Sequence, residues 1–262
     1  MENNELGNLY ISGSGRCSGG KFRSVKILGS GKIVGDIECE DFKISGSGKV
    51  EGNIFTKDFK ISGSGNVEGA IVTNEFKISG SGKVESDVTC TDGVISGSGH
   101  ILGKVSSKNF KISGGGKIGG KLIGENIYIS GIGAVEQDIE ADKVEVSGGI
   151  RVEGMLNADM VNMELNGSSQ VKEIGATKIN VKESIGRDRG ILGKFFNIIK
   201  GFGKLTVDVI EGDDIYLENT IAKVVRGERI TIGKGCEIDR IEYRENYRSV
   251  DENSIIKVNT KV

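Results

Sequence analysis

The sequence predicts an all-β fold: a β-solenoid of about 17 residues per turn, with a short amphipathic helical segment and a less regular C-terminal β region. Three observations predict it. A motif recurs at a fixed offset of 17 residues, apolar residues alternate within each motif, and 42 of the 262 residues are glycine while proline and tryptophan are missing.

The repeat comes first in the argument. From Phe42 the chain reads FKISGSGKVEGNIFTKD, from Phe59 FKISGSGNVEGAIVTNE, and from Phe76 FKISGSGKVESDVTCTD. GVISGSGHILGKVSSKN follows from Gly93 and FKISGGGKIGGKLIGEN from Phe110. The phase extends upstream to Asn8 and Val25 and downstream through Ile127 and Val144, and it blurs from Val161. Ten units therefore cover residues 8–177, after a tail of residues 1–7.

Alternation such as Phe42, Ile44, then Val50, then Ile54 marks short strands with one buried face. Gly-Ser-Gly between Ile44 and Val50 reads as a turn that side chains would hinder. A helix is a poor reading, since each glycine costs about 1 kcal/mol relative to alanine there. One unit is too short for a four-stranded propeller blade or a helical hairpin, but it suits one solenoid turn. Paired strands about 4.8 Å apart then give a rod of roughly 50 Å.

Equal phase means vertical stacking. Phe42, Phe59, Phe76 and Phe110 form one buried column, interrupted by Gly93. Ile44, Ile61, Ile78, Ile95 and Ile112 form a second, and Val50, Val67 and Val84 a third. Outside, Lys49 and Lys83 share a phase, as do Glu51, Glu68 and Glu85, so the two ladders neutralise each other on a solvated face. Cys39 and Cys90 share a phase three turns apart, about 14 Å, which is beyond disulfide reach. With Thr56 and Thr73 between them, they read as small core or corner fillers.

The ISGSGKVEGNI unit and its 17-residue period resemble the bactofilins, polymer-forming bacterial cytoskeletal proteins, over residues 8–177. The resemblance implies a right-handed, three-sided β-helix that assembles end to end into nucleotide-independent filaments. It also implies family roles in scaffolding cell-wall enzymes and shaping cells at the inner membrane. The chain departs from the family pattern in its short N-terminal tail, its lack of proline and its extra C-terminal third. Unpaired strands at solenoid ends independently favour association. Leu9, Tyr10 and Ile11 are the candidate N-terminal end face.

From Lys178 the repeat is lost, and 178–204 reads as a basic amphipathic insertion. Within RDRGILGKFFNIIKGFGK (187–204), Ile191, Leu192, Phe195, Phe196, Ile198, Ile199 and Phe202 follow helical spacing. Lys194 and Lys200 contribute to a charge of +4 for this segment, against −6 for the rest of the chain. Such a helix either caps the solenoid, docks on a membrane surface, or enters a partner's groove. Residues 205–262 return to strand alternation as less regular turns, continuing the rod or folding beside it. Asp214–Leu217 and Arg229–Ile232 are equivalent strands, and Cys236, Ile238 and Ile241 continue the pattern. Tyr243, Arg244, Tyr247 and Arg248 form a candidate contact surface, or solvate an edge.

Charge nearly cancels, with 35 Lys and Arg against 37 Asp and Glu, so no whole-chain field draws nucleic acid. A single histidine, His100, in the outward Lys49/Lys83 column leaves an acyltransferase base without a partner. Gly114–Gly119 fits GxGxxG by repetition only, and no phosphate-binding GxxxxGK[ST] loop occurs. Apolar runs are too short to span a membrane as helices, and MENNELGNLY has no export signal, so a cytoplasmic location with free thiols is expected. The sequence thus points to a non-enzymatic, cofactor-free scaffold whose partners are itself, cell-envelope proteins and, peripherally, the inner membrane. The alternatives are a non-polymerising β-helix adaptor capped by its C-terminal region and a carbohydrate-active or acyltransferase β-helix enzyme.

Overall fold

The computed structural model describes residues 6–184 and 203–262. Regular structure among the described residues is β-strand throughout, wound as a solenoid, with no helix. The chain forms two compact units, Met1–Glu125 and Asn126–Val262.

In the first unit a turn contributes three short strands, as in Asp41–Ile44, Lys49–Glu51 and Ile54–Phe55. These define a first, second and third face. Each strand pairs in parallel with its equivalent 17 residues later, so Phe42 meets Phe59, Val50 meets Val67 and Ile54 meets Ile71. In later turns the third face runs straight into the next first face, giving single strands such as Ile71–Ile78 and Val88–Ile95.

The expected columns are the core. Phe42 stacks on Phe59 at 5.5 Å and 7°, and Phe59 on Phe76 at 5.4 Å and 5°. Ile44, Ile61, Ile78, Ile95 and Ile112 are all fully buried. Each such aliphatic side chain stabilises the fold by about 1.5–3 kcal/mol. Gly93 interrupts the aromatic column without leaving a hole there. A Cβ on Gly93 would lie 2.3 Å from Cδ2 of Phe110, so that ring occupies the space of the missing side chain.

The corners explain the glycines differently from a turn requirement. The Ser62 and Ser64 amides donate to the carbonyls of Ile44 and Gly46, so the hydrogen-bond ladder continues around the corner. Backbones are then stacked at strand spacing, with no room between them. A Cβ on Gly63 would sit 2.3 Å from the Gly46 and Ser45 carbonyl oxygens, and Gly46, Gly80, Gly97 and Gly114 meet the turn before them at 2.2–2.3 Å. The second glycine of each corner is filled differently: Gly82 faces the Ile78 and Ile61 side chains at 3.0–3.1 Å. Another corner uses side chains, since Asp36 Oδ1 accepts from the Asn53 amide at 2.8 Å and Asn53 Oδ1 from the Ala70 amide at 2.9 Å.

The first turn corrects the uniform 17-residue phase. Asn8 pairs with Ser24 and Ile11 with Ile27, so Leu9, not Asn8, shares the column of Val25 and Phe42. The one-residue deficit is absorbed between Ser18 and Gly20, opposite Gly35, whose φ of +103° favours glycine.

In the second unit, Val144 pairs with Val161, Val161 with Ile179, Ile179 with Ile215 and Ile215 with Ile230. Residues 178–183, read from sequence as the start of the insertion, are strand: Ser169–Glu183 runs through them after an irregularity between Val152 and Met155 shifts the register. That slip hides the phase in a self-comparison at fixed offset. Ser169 then pairs with Leu205, so the later strands continue the same ladder. The long segment between Glu183 and Leu205 replaces one corner between first and second faces. The predicted helix, with all its candidate residues from Ile191 to Phe202, lies outside the described residues. Beyond it, Asp214–Leu217 and Arg229–Ile232 are in register as expected, and Cys236, Ile238 and Ile241 are buried. Arg229 links Asp214 at 2.5 Å to Glu245 at 2.7 Å, clamping successive turns from outside.

Replacing Gly63 with alanine forces a Cβ onto backbone oxygens and is expected to destabilise the protein by about 1–3 kcal/mol in urea denaturation. Gly115, with nothing within 4 Å of its Cβ position, is the control. Its alanine variant should unfold like the parent.

Candidate functional site

A solenoid offers two kinds of surface: strand edges at its ends and columns of side chains along its faces. The strand Asn8–Ile11 pairs with Ser24–Ile27 on one side and, among the described residues, with no strand on the other. Period-two alternation fixes what it presents. Ile11 is buried in the isoleucine column, Leu9 is half-buried at the head of the column that leads to Phe42, and Tyr10 points outward, 56% exposed. Lys26 Nζ lies 5.6 Å from the Tyr10 ring centroid. Asn8 Oδ1 accepts a hydrogen bond from Ser24 Oγ at 2.8 Å, which ties the edge strand to the turn beneath. The three end-face candidates are therefore together, but only Tyr10 projects sideways.

Within the second unit, Ile255–Lys261 pairs with Glu237–Ser249 alone among the described residues. Ile255 and Val258 are 59% and 51% exposed there. Nearby, Tyr243 and Tyr247 pack against each other at 5.6 Å. Arg244 lines a 340 Å³ cavity with Glu211, Asp213, Arg226 and Glu242. Sequence alternation had singled out the tyrosines and Arg244, but not the exposed apolar residues of the last strand. Their signal was weak because a two-residue alternation is not sustained across Lys257, Val258 and Asn259.

The charged ladders of the second face are closed networks. Lys49 Nζ bridges Glu51 at 3.1 Å in its own turn and Glu68 at 2.6 Å in the next, while Lys32 reaches Glu51 at 2.5 Å. Lys83 pairs with Glu85 at 2.9 Å. The lysines hold the Glu51 and Glu85 carboxyls below the ordinary carboxylate range, chiefly by direct hydrogen bonds. His100 stands between Lys83 and Lys117 in the outward column, as the repeat phase requires.

The cysteines are free thiols, Cys17 half-buried and Cys39, Cys90 and Cys236 buried. Cys39 Sγ lies 3.5 Å from Thr56 Oγ1. Thr56 and Thr73 hydroxyls donate to the Glu40 and Lys57 carbonyls at 2.7 and 2.8 Å, so this column closes a corner. Burial raises the Cys39 thiol and pushes the Cys90 and Cys236 thiols up to about 11. No helix among the described residues is long and apolar enough to cross a membrane.

The stacked three-face turns with Gly-Ser-Gly corners are also what known proteins share with this chain. Residues 47–123 match the bactofilin family model, described as polymer-forming cytoskeletal. The bactofilin match covers the most regular part of the glycine and isoleucine columns. The chain is also similar to the uncharacterized protein YhbF of Bacillus subtilis, 49% identical over 94 residues, covering 36% of this chain and 35% of that protein. The uncharacterized protein YhbE of the same organism is 43% identical over 58 residues, covering 22% of this chain and 24% of YhbE. The matches to these relatives thus span about a third or less of their own length. No solved structure matches the chain.

The thiol environments predict an order of reactivity. In the native protein a chromogenic disulfide reagent at neutral pH should label Cys17 first, and the other three only on unfolding. Because folding raises the Cys90 and Cys236 values from 9.0 to about 11, the unfolded chain releases those protons first. Stability should therefore fall as pH rises from about 9 to about 11, by about 2 kcal/mol per thiol. Urea titrations of Cys90→Ala and Cys236→Ala variants should show a flatter decline.

Proposed function

We propose that this protein is a non-enzymatic cytoskeletal scaffold of the bactofilin kind, which self-associates through its solenoid ends into filaments without nucleotide. The observation that carries the reading is the half-paired edge strand Asn8–Ile11, which heads continuous apolar columns, in a chain whose residues 47–123 match a polymer-forming cytoskeletal family. An edge of this kind leaves amides and carbonyls ready to accept another strand. A head-to-tail contact that does not close on itself produces a filament rather than a ring. Leu9, Tyr10 and Ile11 are the end-face residues in this reading.

The basic apolar segment 187–204 is proposed as a peripheral membrane contact, through Ile191, Leu192, Phe195, Phe196, Ile198, Ile199 and Phe202 with Lys194 and Lys200 beside them. Support comes from where the segment is rooted. Ser169 pairs with Leu205 across it, so the ladder does not need it as a spacer. A cytoplasmic scaffold at the inner surface of the membrane, with cell-envelope proteins as clients, is the corresponding cellular role.

Negative-stain electron microscopy of the purified protein tests the assembly. Filaments without nucleotide are expected, shortened or lost in a Leu9→Lys, Tyr10→Glu variant that retains its circular dichroism spectrum. Uniform monomers or closed dimers of the parent would overturn filament formation and leave a capped adaptor. Changing Phe195 and Phe196 to serine should abolish flotation with anionic liposomes while leaving the melting curve in place. Unfolding of that variant would instead assign the segment to a cap.

A further inference from the structure

The first and second faces of the Met1–Glu125 unit carry the same two kinds of ladder, yet they are wired differently. On the second face Lys32, Lys49 and Lys83 are in ion pairs with Glu51, Glu68 and Glu85. On the first face Asp41, Asp58 and Glu75 form an acidic rail, in register with one another. Lys43, Lys60 and Lys77 form a basic rail two residues along the same strands. None of these six side chains makes an ion pair or hydrogen bond within the chain. All three acids are exposed, Lys77 is exposed, and Lys43 and Lys60 are half-buried.

We infer that this face is a lateral contact for a second copy of the chain, lying side by side and running in the same direction. The direction follows from symmetry. Let two copies meet through this face. A two-fold axis parallel to the solenoid axis exchanges the left and right rails, so each acidic rail lies opposite the partner's basic rail. A two-fold axis perpendicular to the solenoid, in the plane of contact, sets acid against acid and lysine against lysine. Self-complementary contacts are isologous, and only the parallel one is attractive here. Each turn then supplies two reciprocal pairs, Asp58 to the partner's Lys60 and the converse, repeated at the strand spacing of about 4.8 Å. One unit binds weakly this way, since exposed pairs are individually weak. Copies already aligned in a row would add their contacts by avidity. The contact itself does not depend on the end contacts of the proposed filament, so it is testable in solution.

Two variants separate the rails: Asp41→Lys/Asp58→Lys/Glu75→Lys carries two basic rails, and Lys43→Glu/Lys60→Glu/Lys77→Glu two acidic ones. In sedimentation velocity at about 20 mM salt, each alone should self-associate about tenfold more weakly than the parent. Mixed in equal amounts they should recover the association, and about 0.5 M salt should abolish it. Carbodiimide coupling of isotopically distinct parent copies should join Asp58 of one to Lys60 of the other. Association of the separate variants at parental strength, or no recovery on mixing, would overturn the inference. So would parental binding to phosphatidylglycerol vesicles that the acidic variant loses, without any self-association, since that assigns the lysines to lipid. If a triple variant unfolds, the charge-conserving Asp58→Lys/Lys60→Asp exchange replaces it. Its folded form must lose the Asp58–Lys60 coupling of the parent and weaken association, or the inference fails.

Discussion

Everything in this molecule depends on how closely successive turns approach one another at their corners. Parallel strands fix the rise of the solenoid at one hydrogen-bond spacing, about 4.8 Å. Flat faces tolerate that spacing easily, because side chains point in or out. A corner does not, since its backbone must turn while still donating to and accepting from the turn beside it. The contacts facing Gly46, Gly63, Gly80, Gly97 and Gly114 show the result: at these positions even one carbon would overlap a carbonyl. Once the corners fit, the alignment of the phenylalanine, isoleucine and valine columns follows, because each turn is held directly over the last.

Much of this was legible in the sequence because the constraint repeats in phase. Phe42, Ile44 and Val50 recur with their neighbours at one offset, so columns could be assigned before any coordinates, and so could the Lys49–Glu51–Glu68 ladder. The reason for the glycines was not legible. A glycine needed for a positive φ and one needed for close approach look alike in a sequence, and these corners belong to the second kind. Gly35 is of the first kind and marks where the short opening turn is accommodated.

Irregular turns were the harder part. A slip of one residue between Val161 and Ile179 hides a strand from any fixed-offset comparison, although hydrogen bonding continues through it. The same limit concealed the Asp36–Asn53–Ala70 relay, since its amide partners are set by geometry rather than by residue type. At the candidate end face, the sequence brought Leu9, Tyr10 and Ile11 together, but the division between inward and outward side chains needed the register with Val25, Lys26 and Ile27. The contrast between bonded and unbonded rails on neighbouring faces was invisible, because both read as alternating acid and base.

The corner contacts also govern how such a chain can change length. A glycine that rests on the carbonyl below it requires a turn of matching shape underneath, and supplies the same seat to the turn above. Adding or removing a few residues breaks both relations, whereas copying a complete turn preserves them. Extra sequence is tolerated where the segment between Glu183 and Leu205 lies, outside the strands that bear the ladder. Growth by whole-turn duplication, with novelty confined to corners, is therefore the route that the stacking leaves open, and the near-identical units from Phe42 to Asp92 carry its imprint.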